Sequence, residues 1–171
     1  MITALILFLT PTLLFVFTFL YETYLSFFRL KNQSKGKYGY VSATWEVTHT
    51  LLVAGVVILL MLLTHDITDL SAAIFTSTFI AGIALSMRSA LYCYIFFVRK
   101  TSKINFVDWL FALSHVVAAL FLVVTVLKAL WFIYDHAVTI NTQFYPYFIP
   151  GLIATVALCA VPIITLYKTK D

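Results

Sequence analysis

The stretch Trp45-Glu46-Val47-Thr48-His49 places a carboxylate, a hydroxyl and an imidazole at the head of an apolar run. At spacing i and i+3, Glu46 and His49 share one helical face, where such a pair could carry a proton or ligate a metal or haem. Leu51 to Leu63 follows without a charge. A carboxylate this close to a membrane-length apolar segment is costly without a partner, and that cost marks the stretch as a candidate site.

Other polar groups are set within or beside apolar runs and admit a functional and a structural reading each. Arg88 is the strongest, because inserting a guanidinium at mid-helix costs about 2.5–3.5 kcal/mol on insertion scales. It is either a counter-ion for a functional carboxylate or anionic cofactor, or half of a structural ion pair with Glu22 or Glu46. Glu46 is either a proton-relay carboxylate or a first-turn acid that complements the helix dipole, with Thr44 beside it. Glu22 has the same two readings. His49 and His115 could ligate a b-type haem between two helices, or each could bond a neighbour. Asp108 precedes Trp109 at a helix start, where an acid and an interfacial indole are expected as anchors, and a catalytic role for Asp108 is the alternative. Tyr92, Tyr94, Phe96 and Phe97 read as an aromatic belt at one membrane face, and Tyr145 and Tyr147 as one at the other. Met61 and Met87 read as packing. Cys93 and Cys159 lie in apolar runs outside any CxxC pattern and read as buried thiols without redox or metal roles.

The elements that position these groups are membrane helices. Only 11% of the 171 residues are charged and 63% are apolar, against about a quarter charged in soluble domains. The apolar runs are long and continuous, which excludes the short alternating strands of an outer-membrane barrel. The net charge of +4 does not imply nucleic acid, because the cations sit in short loops between apolar runs. The sequence therefore predicts an all-α polytopic membrane protein: one domain over 1–171, with helices near 2–28, 43–64, 67–98, 105–134 and 145–167. Pro11 and Pro162 should kink their helices, and Pro146 suits a helix start. The N-terminus has no basic leader or cleavage site, so the first helix is expected to be retained.

Loop charges predict the orientation. Arg29, Lys31, Lys35 and Lys37 fill the first loop and Arg99, Lys100 and Lys103 the third, while Lys168 and Lys170 mark the tail. The second loop has His65, Asp66 and Asp69, and the fourth Asp135 and His136, with no Lys or Arg. This alternation predicts an N-terminus outside and a C-terminus in the cytoplasm, with Asn32–Gly39 a polar cytoplasmic loop. At 1.5 Å per residue, Arg88 lies roughly 15 Å in from Arg99, and His115 about 10 Å beyond Asp108. Glu22, Glu46, His49, Arg88, Asp108 and His115 thus all fall in the cytoplasmic half. Lys128 alone lies in the outer half, close enough to the surface to snorkel.

The order of these features resembles the N-terminal half of subunit II of cytochrome bd-type quinol oxidases. The first helix ends in an acid-bearing turn, Phe19-Leu-Tyr-Glu22-Thr-Tyr-Leu-Ser26. Trp45-Glu46 matches a Trp-Asp pair opening the second helix, and Leu85-Ser-Met-Arg88 an Arg embedded in the third. Asp108-Trp109 with Ser114 matches the start of the fourth, and Tyr145-Pro-Tyr-Phe148 the start of the fifth. The similarity runs over almost the whole chain in order and spacing, through short motifs. Three departures stand out: the chain has one half where the family has two, Val47-Thr48 replaces the usual Gly-Asn, and a doubly acidic turn is reduced to Glu22.

The resemblance implies a non-catalytic membrane subunit of a prokaryotic cytoplasmic-membrane oxidase. Haems b and d would belong to a haem-bearing subunit I, and this chain would bind none, with room for a structural quinone. Glu46 would be the cytoplasmic proton entrance, supported by a Glu22–Arg88 ion pair. The missing half would come from a second half-length subunit or from a homodimer. Competing readings are a purely structural or assembly subunit, a haem-bearing anchor using His49 and His115, and a small ion or proton transporter.

Overall fold

Lipid offers the backbone no hydrogen bonds, so apolar runs of this length must satisfy their own N–H and C=O groups as helices. The computed structural model describes residues 2–31, 38–99, 103–136 and 140–168. Its long elements are α1 (Ile2–Lys31), α2 (Tyr38–Leu62), α3 (Ile67–Cys93), α4 (Phe106–Asp135) and α5 (Tyr145–Lys168). A single 3-10 turn, Thr64–Asp66, links α2 to α3, and another, Thr142–Phe144, leads into α5. A π-helical turn, Tyr94–Val98, closes α3. The chain has five helices long and apolar enough to cross a membrane, and no strand occurs among the described residues.

The expected helices all form, with one shift that matters. Helix α2 begins at Tyr38 rather than near 43, so Gly39 is helical. Residues 32–37 of the loop expected over 32–39, Lys100 and the tail beyond Lys168 fall outside the described residues. The earlier start places Glu46 about two turns inside α2, beyond the first turn where the helix dipole acts. The reading of Glu46 as a first-turn acid is therefore corrected. Pro11 lies within α1 and Pro162 within α5, each assigned as one helix throughout. Pro146 is the second residue of α5, where its missing N–H costs nothing.

Packing follows the inward stripes. Helix α1 contacts α2 and α4, α3 lies along α4, and α5 rests on α2 with a lighter touch on α1. Three layers fill the interior. One joins Ala4, Leu7 and Phe8 of α1 to Leu59, Leu62 and Leu63 of α2 and to Phe132 and Ile133 of α4. This layer sits beside Asp66, Asp69 and Asp135, and its side of the bundle is termed the acidic end. A middle layer holds Phe15, Phe19, Leu51, Ala81, Ala84, Ala118 and Leu122. The third, at the basic end, is aromatic: Tyr92, Phe111, Trp45 and Phe96 around Ile95. Ala81, Ala84 and Ala118 let α3 and α4 approach closely, as small residues do between membrane helices. The backbone N–H of Asn141 donates to the Leu62 carbonyl (3.0 Å) and ties the last connection to the end of α2.

Helices α2 and α3 meet at the basic end through Trp45 and Tyr92 but part along their middle. An apolar groove of about 370 Å³ lies between them, floored by Phe8 and Phe15 of α1 and by Leu122 and Ala129 of α4. Two glycines border it with opposite constraints. A Cβ on Gly55 would come within 3.2 Å of Thr12 Oγ1, whereas one on Gly82 would meet nothing within 4 Å. The Thr12 hydroxyl is itself fixed by donating to the Phe8 carbonyl (2.7 Å). Gly55→Leu should therefore destabilise the bundle by about 1–3 kcal/mol through α1–α2 overpacking. Gly82→Leu should leave stability unchanged or raised, and thermal unfolding of both variants in detergent checks the contrast.

Candidate functional site

Of Glu22, Glu46, His49, Arg88, Asp108 and His115, all but Glu46 occupy a position on or beside the inward stripe of their helix. On α1 the buried series Phe15, Phe19, Glu22, Ser26 repeats at helical spacing. On α3 the series is Ala81, Ala84, Arg88, Tyr92, and on α4 it is Phe111, His115, Ala118, Leu122. Thr48 and Leu51 play that part on α2. The helical period alone therefore aims Glu22, Thr48, Arg88 and His115 into one space between the middle and aromatic layers.

There they form a network. Arg88 Nη2 donates to Glu22 Oε2 at 2.5 Å, and the Thr48 hydroxyl donates to Glu22 Oε1 at 2.5 Å. Arg88 and Glu22 are 1% and 3% exposed, so both charges are removed from solvent and lipid alike. Burying an ion pair is tolerable only when other groups supplement the pairing. Here the guanidinium carbon lies 4.0 Å from the centroid of the Trp45 ring and 4.9 Å from that of Phe19. The negative faces of two aromatic rings thus attract the cation, an interaction worth about 2 kcal/mol when desolvated. Arg88 Nε is buried and has no hydrogen-bond partner among the described residues. Trp45 is held in turn by stacking on Tyr92 (4.6 Å) and on His49 (4.7 Å).

The two histidines flank this column. His49 Nδ1 lies 2.9 Å from the Trp45 carbonyl and His115 Nδ1 2.9 Å from the Phe111 carbonyl. A carbonyl only accepts, so Nδ1 carries a proton in each. His115 packs on Phe111 (4.5 Å) and Phe19 (5.9 Å). The rings expected as haem ligands are connected by packed side chains in the order His49, Trp45, Arg88, Phe19, His115. A macrocycle spanning them would have to displace that column. Among the described residues, no group of three or more His, Cys, Asp or Glu is gathered to hold a metal.

Glu46 and Asp108 are placed apart from the network. Glu46 is exposed on the outer face of α2, and its carboxylate has no hydrogen-bond or ion-pair partner among the described residues. Of the two acids considered for Arg88, the structure pairs it with Glu22. Asp108 is buried and anchors, as its place at a helix start suggested. Its carboxylate accepts the Asn105 backbone N–H (2.9 Å) in a capping box and takes a bidentate contact from Arg99 (2.5 and 3.1 Å). That contact ties the π-turn ending α3 to the start of α4.

Three sequence expectations are corrected here. Tyr92 is buried and stacks on Trp45 instead of belonging to a lipid-facing belt, while Tyr94 and Phe97 are exposed as that belt requires. Cys93 is exposed, although Cys159 is buried as expected. Met87 is exposed rather than packed. Two members of the network went unrecognised, Thr48 as a donor to Glu22 and Trp45 as the platform for Arg88. Their i, i+3 spacing was the available signal; it puts them on a common face turned inward beside Leu51 and away from Glu46. Comparison with known proteins adds no relative: no family model, no curated protein and no solved structure matches the chain.

Removing one partner of a buried pair leaves an uncompensated charge, at a cost of about 3–5 kcal/mol. Arg88→Met alone should therefore strongly destabilise the purified protein, and Glu22→Leu combined with Arg88→Met should recover most of the loss. A double-mutant cycle on unfolding in detergent measures the coupling, and additive single effects would contradict the pairing.

Proposed function

We propose that the chain is a membrane subunit of a cytochrome bd-type quinol:oxygen oxidoreductase, bound to a haem-bearing subunit and contributing Glu46 as a proton entrance. The observation that carries this reading is the division of labour between two acids. Glu22 is committed to Arg88 and Thr48 inside the bundle, whereas Glu46 stands exposed on the outer face of α2 with no partner among the described residues. Below it on α2, Val53, Val56, Val57 and Leu60 are exposed and apolar. A lone carboxylate at the head of an apolar face is accessible to a partner chain and can hand protons to it through water.

The resemblance of the five motifs in order supplies the class of partner, and the loop charges supply the orientation. In this reading the basic end faces the cytoplasm of a prokaryotic cell and the N-terminus lies outside. In this reading haems b and d belong to the partner, and the packed side chains between His49 and His115 support it. A quinone held as a structural element would find an apolar berth for its chain in the groove between α2 and α3. The second half that the family pattern calls for would be another half-length subunit or a second copy of this chain.

The buried pair favours a second reading, an assembly subunit without a proton role, in which Glu22 and Arg88 only hold the helices that dock the partner. Glu46→Ala separates the two. In the purified complex it should slow oxygen reduction and leave the haem spectrum intact, while full activity would remove the proton role and leave assembly.

A further inference from the structure

Lys128 is the one charged residue on α4 between Asp108 and Asp135, and it faces outward into the membrane-spanning part of the bundle. A cation there is satisfied by reaching the headgroup region or by a counter-charge. Among the described residues, its ammonium makes one long hydrogen bond, 3.4 Å to the Ala73 carbonyl of α3, leaving two N–H donors unused. The nearest acid on its own helix face is Asp135, seven residues on and thus about 10 Å along the axis, too far for a direct pair. Both side chains line one open groove of about 520 Å³ between α3 and α4. Its wall is apolar, with Val124, Leu127 and Ala73, and the exposed indole of Trp131 stands between the two charges. Asp135 is more than half exposed, with His136 Nδ1 3.9 Å away.

We propose that this groove binds one phospholipid with a primary-amine headgroup, its phosphate on Lys128, its ammonium on Asp135 and an acyl chain along Val124 and Leu127. The charges are ordered as such a lipid needs. The group that binds an anion lies deeper, towards the hydrocarbon, and the group that binds a cation lies at the helix end, nearer water. The Trp131 ring between them supplies an amphipathic wall. Asp135 gives the selectivity. An ethanolamine ammonium can donate hydrogen bonds to it, a choline headgroup has no N–H to donate, and a glycerol headgroup brings no positive charge. This site is independent of the proposed oxidase role, since it involves neither Glu46 nor any partner chain.

The test is lipid retention by the purified protein, delipidated and then titrated with phosphatidylethanolamine, phosphatidylcholine or phosphatidylglycerol of identical acyl chains, and read by native mass spectrometry. Wild type should retain one phosphatidylethanolamine at least about threefold more tightly than either of the others, as expected for one exposed ion pair. Asp135→Asn should abolish that preference, and Lys128→Gln should weaken retention of all three lipids. Both side chains are exposed, so circular dichroism should be unchanged in either variant. Equal retention of the three lipids by wild type, or an unaltered preference in Asp135→Asn, would overturn the proposal.

Discussion

The interior of this bundle depends on the buried ion pair between Arg88 and Glu22. Arg88 of α3 and Glu22 of α1 belong to helices with no extensive apolar seam of their own, because α1 packs mainly on α2 and α4. The pair, with Thr48 from α2 and the Trp45 ring, draws three helices to one point. His115 of α4 closes the same point through Phe19. Such a cluster is expensive to bury and therefore position-specific: few other rotations of these helices would leave both charges answered. Apolar packing alone is permissive in lipid, where leucine is as content against an acyl chain as against a neighbour. The polar cluster gives the basic end a defined arrangement, and the aromatic layer around it excludes lipid and water.

Much of the architecture was legible in the sequence because membrane helices obey coarse rules. Length and continuity of the apolar runs gave five helices, and the ends of four were placed within a few residues. The exception, α2, starts earlier because Tyr38 to Ala43 is helix-compatible but not strongly apolar, so hydropathy set the boundary too late. The site was half legible. Charge cost marked Arg88 and Glu22 as partners in principle, yet Glu46 remained a rival because helix rotation is not encoded in hydropathy. On helices so apolar all round, the inward face hardly differs from the lipid-facing one, and Tyr92 and Met87 were misplaced for that reason. Thr48 was hidden by its type: a threonine in a membrane helix usually bonds its own backbone, as Thr50 does here with the Glu46 carbonyl.

The functional account rests on how the two acids are used. A carboxylate locked to a guanidinium and a hydroxyl orders structure, whereas an exposed one at the head of an apolar helix face is available to another chain. That contrast underlies the proposal of a subunit whose chemistry is completed elsewhere. The fold alone carries no activity, since a five-helix bundle can serve many functions. The proposed oxidase reading comes from the ordered motifs, and the geometry separates their residues: Glu22 pairs with Arg88 inside the bundle, Asp108 binds Arg99 and so joins α3 to α4, and Glu46 lies exposed on α2.

The most direct measurement is purification of the tagged full chain from its native membrane in a gentle detergent, with identification of co-purifying chains and a visible spectrum. The account predicts a stoichiometric haem-bearing membrane partner, haem b and d bands in the complex, and no haem on this chain once the partner is removed. A haem retained by the isolated chain, or a stable preparation with no haem-bearing partner, would contradict it.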